Sequence, residues 1–105
     1  MGLDITISER KEYRCPNCGI PVGHTDIVSI DSWGHAWYDF LKKLGYYASY
    51  EEYDWYGEDM VLNNEQAKQL ADYAVKKKVY NWDNVERVVA VALMHKNKVV
   101  INADW

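Results

Sequence analysis

The chain is organised around one stretch, Tyr13-Arg14-Cys15-Pro16-Asn17-Cys18-Gly19-Ile20-Pro21-Val22-Gly23-His24, which contains both of its cysteines and both of its prolines. Cys15 and Cys18 have the C-x-x-C spacing, and Gly19 follows directly. This pattern is typical of a zinc knuckle, a tight turn whose two thiolates bind one metal ion. We therefore predict a structural zinc site that ties neighbouring strands together.

The cysteine pair has two other possible interpretations. A redox dithiol usually lies where a strand enters a helix, because the helix N-terminus stabilises the thiolate. Pro21 and the glycines at 19 and 23 oppose a helix after Cys18, so the redox interpretation is disfavoured. Two structural thiols without metal are the third interpretation. A C-x-x-C-G turn in a reducing compartment favours metal over both.

Two cysteines supply only half of a tetrahedral zinc site. His24 follows Cys18 by six residues and is the predicted third ligand. The fourth ligand is open at this point, and the candidates are His35, which is preferred as the nearest remaining imidazole, Asp26, Asp31, Asp59 and a water molecule. The predicted metal ligands are thus Cys15, Cys18, His24 and His35.

Length and composition predict one small α+β domain over residues 1–105. Hydrophobic residues make up 49% of the chain, which is enough for a core, but a core of this size benefits from a structural metal. The formal net charge of −4 argues against binding nucleic acid through its phosphates. The same charge favours a basic protein partner.

Membrane association is not expected from the sequence. The chain has no apolar run near the 18 residues needed to span a bilayer. Residues 1–5, Met-Gly-Leu-Asp-Ile, lack the charged-then-apolar pattern of a secretion signal. We expect a cytoplasmic protein.

Periodicity predicts a short sheet and about three helices. Strands are expected over residues 3–8, 26–30 and 99–101, with the last joining the first in one sheet, and a charged turn over residues 9–12. Helices are expected over residues 33–44 after an Asp31-Ser32 cap and from an Asp83 cap to about 94. A further helix is expected over residues 65 to about 78, opened by Asn63 or Asn64, and Asn63 with Gln66 resembles a capping box. This last helix ends in three lysines, the one basic patch of the sequence.

Aromatic and acidic residues are concentrated in residues 46–59. Ser49 followed by Glu52 has the spacing of a capping box, so a short helix is predicted over residues 50–56, ending at Gly57. Such a helix cannot bury all of its aromatic rings, because they point to different sides. The predicted partner-binding residues are Tyr50, Glu51, Glu52, Tyr53, Asp54, Trp55, Glu58 and Asp59. The alternative is that Tyr53 and Trp55 pack over the metal site or the core and leave an ordinary acidic face.

Sequence templates for catalysis are missing. The chain has no H-E-x-x-H motif, no Gly-rich phosphate loop, and no histidine before Cys15 to complete a zinc deaminase motif. A site with four protein ligands would be closed, and closed zinc sites are structural. We expect a protein without enzymatic activity.

Four segments resemble small phage- and prophage-encoded proteins, among them zinc-binding anti-CRISPR inhibitors of type II-A systems. These segments are residues 15–19, the Trp37-Tyr38 pair, residues 54–57 and the ending over residues 99–105. The resemblance implies an inhibitor that binds a type II-A RNA-guided nuclease and blocks DNA loading or cleavage. The alternative function is a zinc-stabilised nucleic-acid-binding regulatory protein that uses Lys76, Lys77 and Lys78, which the net charge opposes.

Overall fold

The computed structural model describes residues 3–49 and 51–105, and within them the chain forms four strands and three helices. The strands are β1 (Asp4–Arg14), β2 (Pro21–Trp33), β3 (Met60–Leu62) and β4 (Lys98–Asp104). The helices are α1 (Trp37–Leu44), α2 (Asn64–Lys77) and α3 (Trp82–Met94). The predicted α+β class, with a sheet and three helices, is confirmed.

The four strands form one antiparallel sheet in the order β2-β1-β4-β3. In the centre of this sheet Ile7 of β1 lies opposite Ile30 of β2 and Ile101 of β4. The prediction that the C-terminal strand joins the N-terminal strand is therefore confirmed. The pairing places Ile101 and Ala103 of β4 on the same buried side of the sheet as Ile7 and Ile5 of β1, so one core covers both strands.

One face of the sheet carries the hydrophobic core. Ile5 and Ile7 of β1 and Ile101 of β4 are at most 1% exposed and pack with residues of all three helices. The helices contribute the buried side chains Trp37, Phe40, Leu41, Ala67, Leu70, Ala74, Val85, Val88, Val89 and Ala92. The opposite face, which we call the polar face, carries the alternate side chains of β1, such as Thr6, Ser8 and Arg10.

Two helix starts differ from the prediction. The first helix begins at Trp37 rather than near Trp33, because Ser32 belongs to β2 and its hydroxyl donates to the Tyr80 carbonyl at 2.5 Å and accepts from Trp37 Nε1 at 2.9 Å. The third helix begins at Trp82 after Asn81, so Asp83 lies inside the first turn and is not the cap. The capping box of Asn63 and Gln66 is confirmed.

The charged turn predicted over residues 9–12 is wrong, because these residues continue β1. Glu9 and Arg10 are only 2% and 7% exposed. The Glu9 carboxylate accepts hydrogen bonds from Asn97 Nδ2 at 2.7 Å and from His95 Nδ1 at 3.2 Å, which compensates its burial. Strands β1 and β2 are therefore long, and residues 11–29 of this hairpin are exposed except for the partly buried Cys15.

Candidate partner surface and cysteine turn

The acidic and aromatic segment forms a series of turns rather than the predicted helix. The Glu52 N–H donates to the Ser49 carbonyl at 3.1 Å, and the Tyr56 N–H donates to the Tyr53 carbonyl at 3.2 Å. Residues 51–59 contain no helical residue. Tyr50 lies outside the described residues. The Ser49 and Glu52 capping pattern is outweighed by contacts that this segment makes with the end of the chain.

Those contacts tie the segment to β4 through backbone and side-chain hydrogen bonds. The Gly57 N–H donates to the Ala103 carbonyl at 2.8 Å, and Asn102 Nδ2 donates to the Gly57 carbonyl at 2.9 Å. The Tyr46 hydroxyl donates to the Glu58 carbonyl at 2.7 Å and accepts from the Ala103 N–H at 2.8 Å. Burial of this hydroxyl raises the pKa of Tyr46. The segment is thus held in one position by the sheet.

Aromatic rings of the segment pack around Trp105, which is 7% exposed. Tyr53 stacks on Trp105 with ring centroids 6.5 Å apart, and Tyr56 meets it edge-on at 5.0 Å. Tyr53 is nevertheless 57% exposed and Tyr56 39% exposed. Each ring therefore has one side on the protein and one side in solvent. Trp55 is also packed on one side and exposed on the other, since its ring centroid lies 5.7 Å from that of Tyr46 and the residue is 36% exposed.

The acidic side chains around these rings are exposed. They are Glu51, Glu52, Asp54 and Glu58. No lysine or arginine occurs between Lys43 and Lys68, so the segment has no basic residue of its own to offset them. We call the exposed side chains of residues 51–58 the acidic-aromatic surface.

Asp59 differs from the other acids of the segment because it is paired within the protein. Its carboxylate accepts from Asn102 Nδ2 at 2.9 Å and from Arg10 Nη2 at 2.7 Å, and these bonds hold the pKa of Asp59 below its usual value. Arg10 also binds Asp26 with Nε at 2.7 Å from Oδ1. Asp59 therefore links β1 to β4 on the polar face, and through Arg10 it is also linked to β2. Its carboxylate is used within the protein and is not free for a partner in the way that the other acids are.

The cysteines lie in the turn at the tip of the hairpin of β1 and β2. The Cys15 N–H donates to the Ile20 carbonyl at 2.9 Å, and the Gly19 N–H donates to the Cys15 carbonyl at 2.8 Å. Gly19 has a φ of 71°, a left-handed conformation that favours glycine. Arg14 closes the turn from outside, with Nη1 2.9 Å from the Gly19 carbonyl oxygen.

One turn carries both thiols, three residues apart. Hydrogen bonding from the Cys18 thiol, followed by that from the backbone N–H groups of Asn17 and Cys18, lowers the pKa of the Cys15 thiol. Cys15 is partly buried and Cys18 is exposed. Two cysteines three residues apart in a closed turn, one of them with a lowered pKa, suit a pair of metal-binding thiolates.

Neither predicted histidine ligand joins the cysteine pair. His24 lies opposite Glu12 on the polar face and is exposed. His35 follows the other end of β2 and is exposed. The nine residue steps from His24 to Trp33 span about 30 Å of strand, so His35 lies far from the hairpin tip.

The carboxylate candidates for the fourth ligand are engaged elsewhere on the polar face. Asp26 binds Arg10, and Asp31 accepts from the Thr6 hydroxyl at 3.0 Å. Across residues 3–49 and 51–105, no three or more histidine, cysteine, aspartate or glutamate side chains are grouped so that they could hold one metal ion. The donor set that fits zinc in this structure is therefore the thiol pair alone.

Sequence reasoning missed the buried polar clusters around Glu9 and Arg10. The signal was the alternation of β1, which continues past Ser8 and puts Glu9 on the same face as Ile5 and Ile7. Four consecutive charged residues at 9–12 suggested a solvated turn instead. Their partners, such as Asn97 and Asp59, are distant in sequence and could not be anticipated from spacing.

Comparison with known proteins finds no relative of this chain. The chain matches no protein-family model, no curated protein and no solved structure. Within the described residues, none of the helices has the length and apolar character needed to cross a bilayer.

Proposed function

We propose that this protein is a non-enzymatic inhibitor that binds a basic surface of another protein through the acidic-aromatic surface. The observation that carries the proposal is the combination of exposed aromatic rings and exposed carboxylates on one segment that the sheet holds in place. Tyr53 is 57% exposed although it stacks on Trp105. Glu51, Glu52 and Asp54 are exposed beside it.

Half-buried tyrosine and tryptophan rings suit the centre of a protein interface. Such residues dominate binding free energies because they bury a large area and lose little conformational entropy. Here the rings are already held by Trp105 and by the backbone bonds to Ala103. The acidic-aromatic surface is therefore preorganised, which reduces the entropic cost of binding.

The surrounding carboxylates would select and attract a basic partner. Complementary charge mainly raises the association rate and excludes acidic proteins. In its specific form, which follows from the resemblance of the sequence, the proposed partner is a type II-A RNA-guided nuclease. Such nucleases hold nucleic acid in positively charged channels, and an acidic protein can compete for that surface. This target would place the protein in the cytoplasm of the host bacterial cell.

A binding titration against a purified type II-A nuclease with its guide RNA tests the proposal. The variant Glu51→Lys with Glu52→Lys should raise the Kd at least about tenfold, because two favourable charge contacts become repulsive. The matched control is Asp72→Lys with Glu86→Lys, which changes the net charge equally at exposed positions on α2 and α3. The control should bind within about threefold of the unmodified protein.

Three outcomes would contradict the proposal. Equal weakening by both variant pairs would mean that net charge alone matters and that the interface lies elsewhere. Absence of binding to any type II-A nuclease tested would refute the specific form. Tight binding of DNA or RNA that falls steeply with salt would favour the nucleic-acid-binding alternative instead.

A further inference from the structure

The hairpin tip, residues 14–21, extends away from the hydrophobic core. The last buried residue of β1 is Arg10, and β2 becomes partly buried again only at Ile30. The long axis of the molecule measures 46 Å against 29 Å and 20 Å for the others. A site at this tip is therefore open to another molecule.

The tip carries two possible sulfur ligands, Cys15 and Cys18, in one closed turn. Cys15 and Cys18 lie three residues apart in one turn, and hydrogen bonding within this turn lowers the pKa of the Cys15 thiol. The turn is closed by the bond from Gly19 N–H to the Cys15 carbonyl at 2.8 Å. Two thiolates held this way can occupy one edge of a zinc tetrahedron, in which Zn–S distances are about 2.3 Å.

The remaining two ligands must come from outside this hairpin tip. His24 and Asp26 lie on the polar face beside Arg10, and His35 lies beyond the far end of β2. A structural zinc site takes four protein ligands, and four thiolates are a common set. A second copy of the chain offers the same pair of thiols, one partly buried and one exposed, at its own hairpin tip.

We propose that Cys15 and Cys18 form half of a four-thiolate zinc site, and that the same two residues of a second copy complete it. One zinc ion then joins two chains tip to tip. Zinc binding releases the thiol protons, and no oxidation or reduction is involved.

Charge around the tip favours this arrangement. A zinc ion with four thiolates carries a formal charge of about −2, and nearby cations stabilise it. Arg14 precedes Cys15 and its guanidinium is fixed 2.9 Å from the Gly19 carbonyl oxygen. Two copies bring two such arginines to the metal. No acidic residue occurs from Tyr13 to Thr25, so the tips can approach without direct repulsion between carboxylates.

Apolar side chains surround the tip and would be covered in the dimer. Ile20 is 60% exposed, Val22 is 67% exposed and Tyr13 is 45% exposed. Val22 is the extra residue of an irregularity in β2, since Tyr13 lies opposite Gly23 and Arg14 lies opposite Pro21. Burial of these side chains against a second tip adds hydrophobic free energy to that of the metal.

The experiment is a zinc titration of the full chain, reduced and freed of metal, followed by native mass spectrometry and light scattering. We expect a dimer of twice the 12.3 kDa chain mass containing one zinc ion per two chains. Cobalt in place of zinc should give the intense charge-transfer absorption of four thiolates per metal. A chelator should return the monomer.

Variants separate the metal site from the fold. Cys15→Ser and Cys18→Ser should remain monomeric in zinc while retaining the circular dichroism spectrum of the unmodified chain, because the tip lies outside the core. Arg14→Glu should weaken zinc-dependent dimerisation by about tenfold, since it replaces two neutralising charges by two repulsive ones.

Several results would overturn the inference. They are a monomer that binds one zinc ion per chain, a reduced chain that binds no zinc, and a dimer that persists in chelator. If a cysteine variant failed to fold, the metal-to-chain ratio and the mass of the unmodified protein would still decide the matter. None of these measurements involves the nuclease, so the outcome is independent of the proposed function.

Discussion

Replacing Tyr46 by phenylalanine tests how the acidic-aromatic surface is held in place. The hydroxyl of Tyr46 is the only part removed, and the ring, which is 2% exposed, can keep its packing against Trp105. That hydroxyl joins two segments of the backbone, since it accepts from the Ala103 N–H of β4 at 2.8 Å and donates to the Glu58 carbonyl at 2.7 Å.

The expected cost follows from the groups that the substitution leaves behind. The bond between Tyr46 and the Ala103 N–H is buried, and a buried donor left without a partner costs about 1–3 kcal/mol. The Glu58 carbonyl is only partly buried and can bond to water, so loss of its bond from Tyr46 adds little to the cost in stability. We expect the free energy of unfolding to fall by about 2 kcal/mol. For a domain of this size, Tm should fall by about 8–16 °C.

Urea unfolding followed by tryptophan fluorescence measures this change, with Tyr80→Phe as the control. Tyr80 is 48% exposed and its ring stacks on Trp33, so loss of its hydroxyl should change the free energy of unfolding by less than about 0.5 kcal/mol. Equal stability of the Tyr46→Phe variant and the unmodified protein would refute the role assigned to the hydroxyl. The Tyr46 variant should also bind its partner more weakly, because residues 57 and 58 lose a tether to β4.

Three further predictions concern the free energy of unfolding. Because the folded pKa of Asp59 is lowered, its carboxylate stabilises the fold above its unfolded pKa, near 4, and this contribution is lost as pH falls through the lower folded value. Asp59→Asn should therefore lower the free energy of unfolding by about 0.5–1 kcal/mol at pH 7, as expected for a partly exposed ion pair. In urea titrations at pH 3, the difference between this variant and the unmodified protein should be smaller. Because burial raises the folded pKa of Tyr46, the contribution of this group to stability should be fully present below its unfolded pKa, near 10, and be lost as pH rises through the higher folded value. Tyr46→Phe should therefore lose less stability in alkali when unfolding is followed by circular dichroism. Asn63→Ala should cost about 1 kcal/mol, since the Gln66 N–H loses its 2.7 Å bond, and an unchanged thermal midpoint would contradict the capping role.

Much of the fold could be predicted because its signals are local. The alternation of Leu3, Ile5 and Ile7 identifies a strand and its buried face at once. The buried faces of α2 and α3 follow from helical spacing in the same way. Asn63 and Gln66 are three residues apart, so their reciprocal hydrogen bonds could be anticipated without any tertiary contact.

The candidate sites were only partly predictable from sequence. Cys15 and Cys18 are three residues apart and one turn holds both, so their closeness in space follows from spacing alone. The predicted ligand His35 is close to them in sequence, but the 13 residues of the extended strand β2 lie between them and span about 40 Å. Nearness along a chain becomes nearness in space only if the chain turns back, and here it does not.

By itself, the sequence determined the α+β class, the position of both thiols in one turn, and the acidic and aromatic character of residues 46–59. The tertiary structure alone decided that Glu9 and Arg10 are buried, that residues 51–56 form turns around Trp105, and that Asp59 belongs to the polar face. The reason is distance along the chain. Arg10 meets Asp59 across 49 residues and Glu9 meets Asn97 across 88, and no local pattern of residues specifies contacts that only the packed sheet brings together.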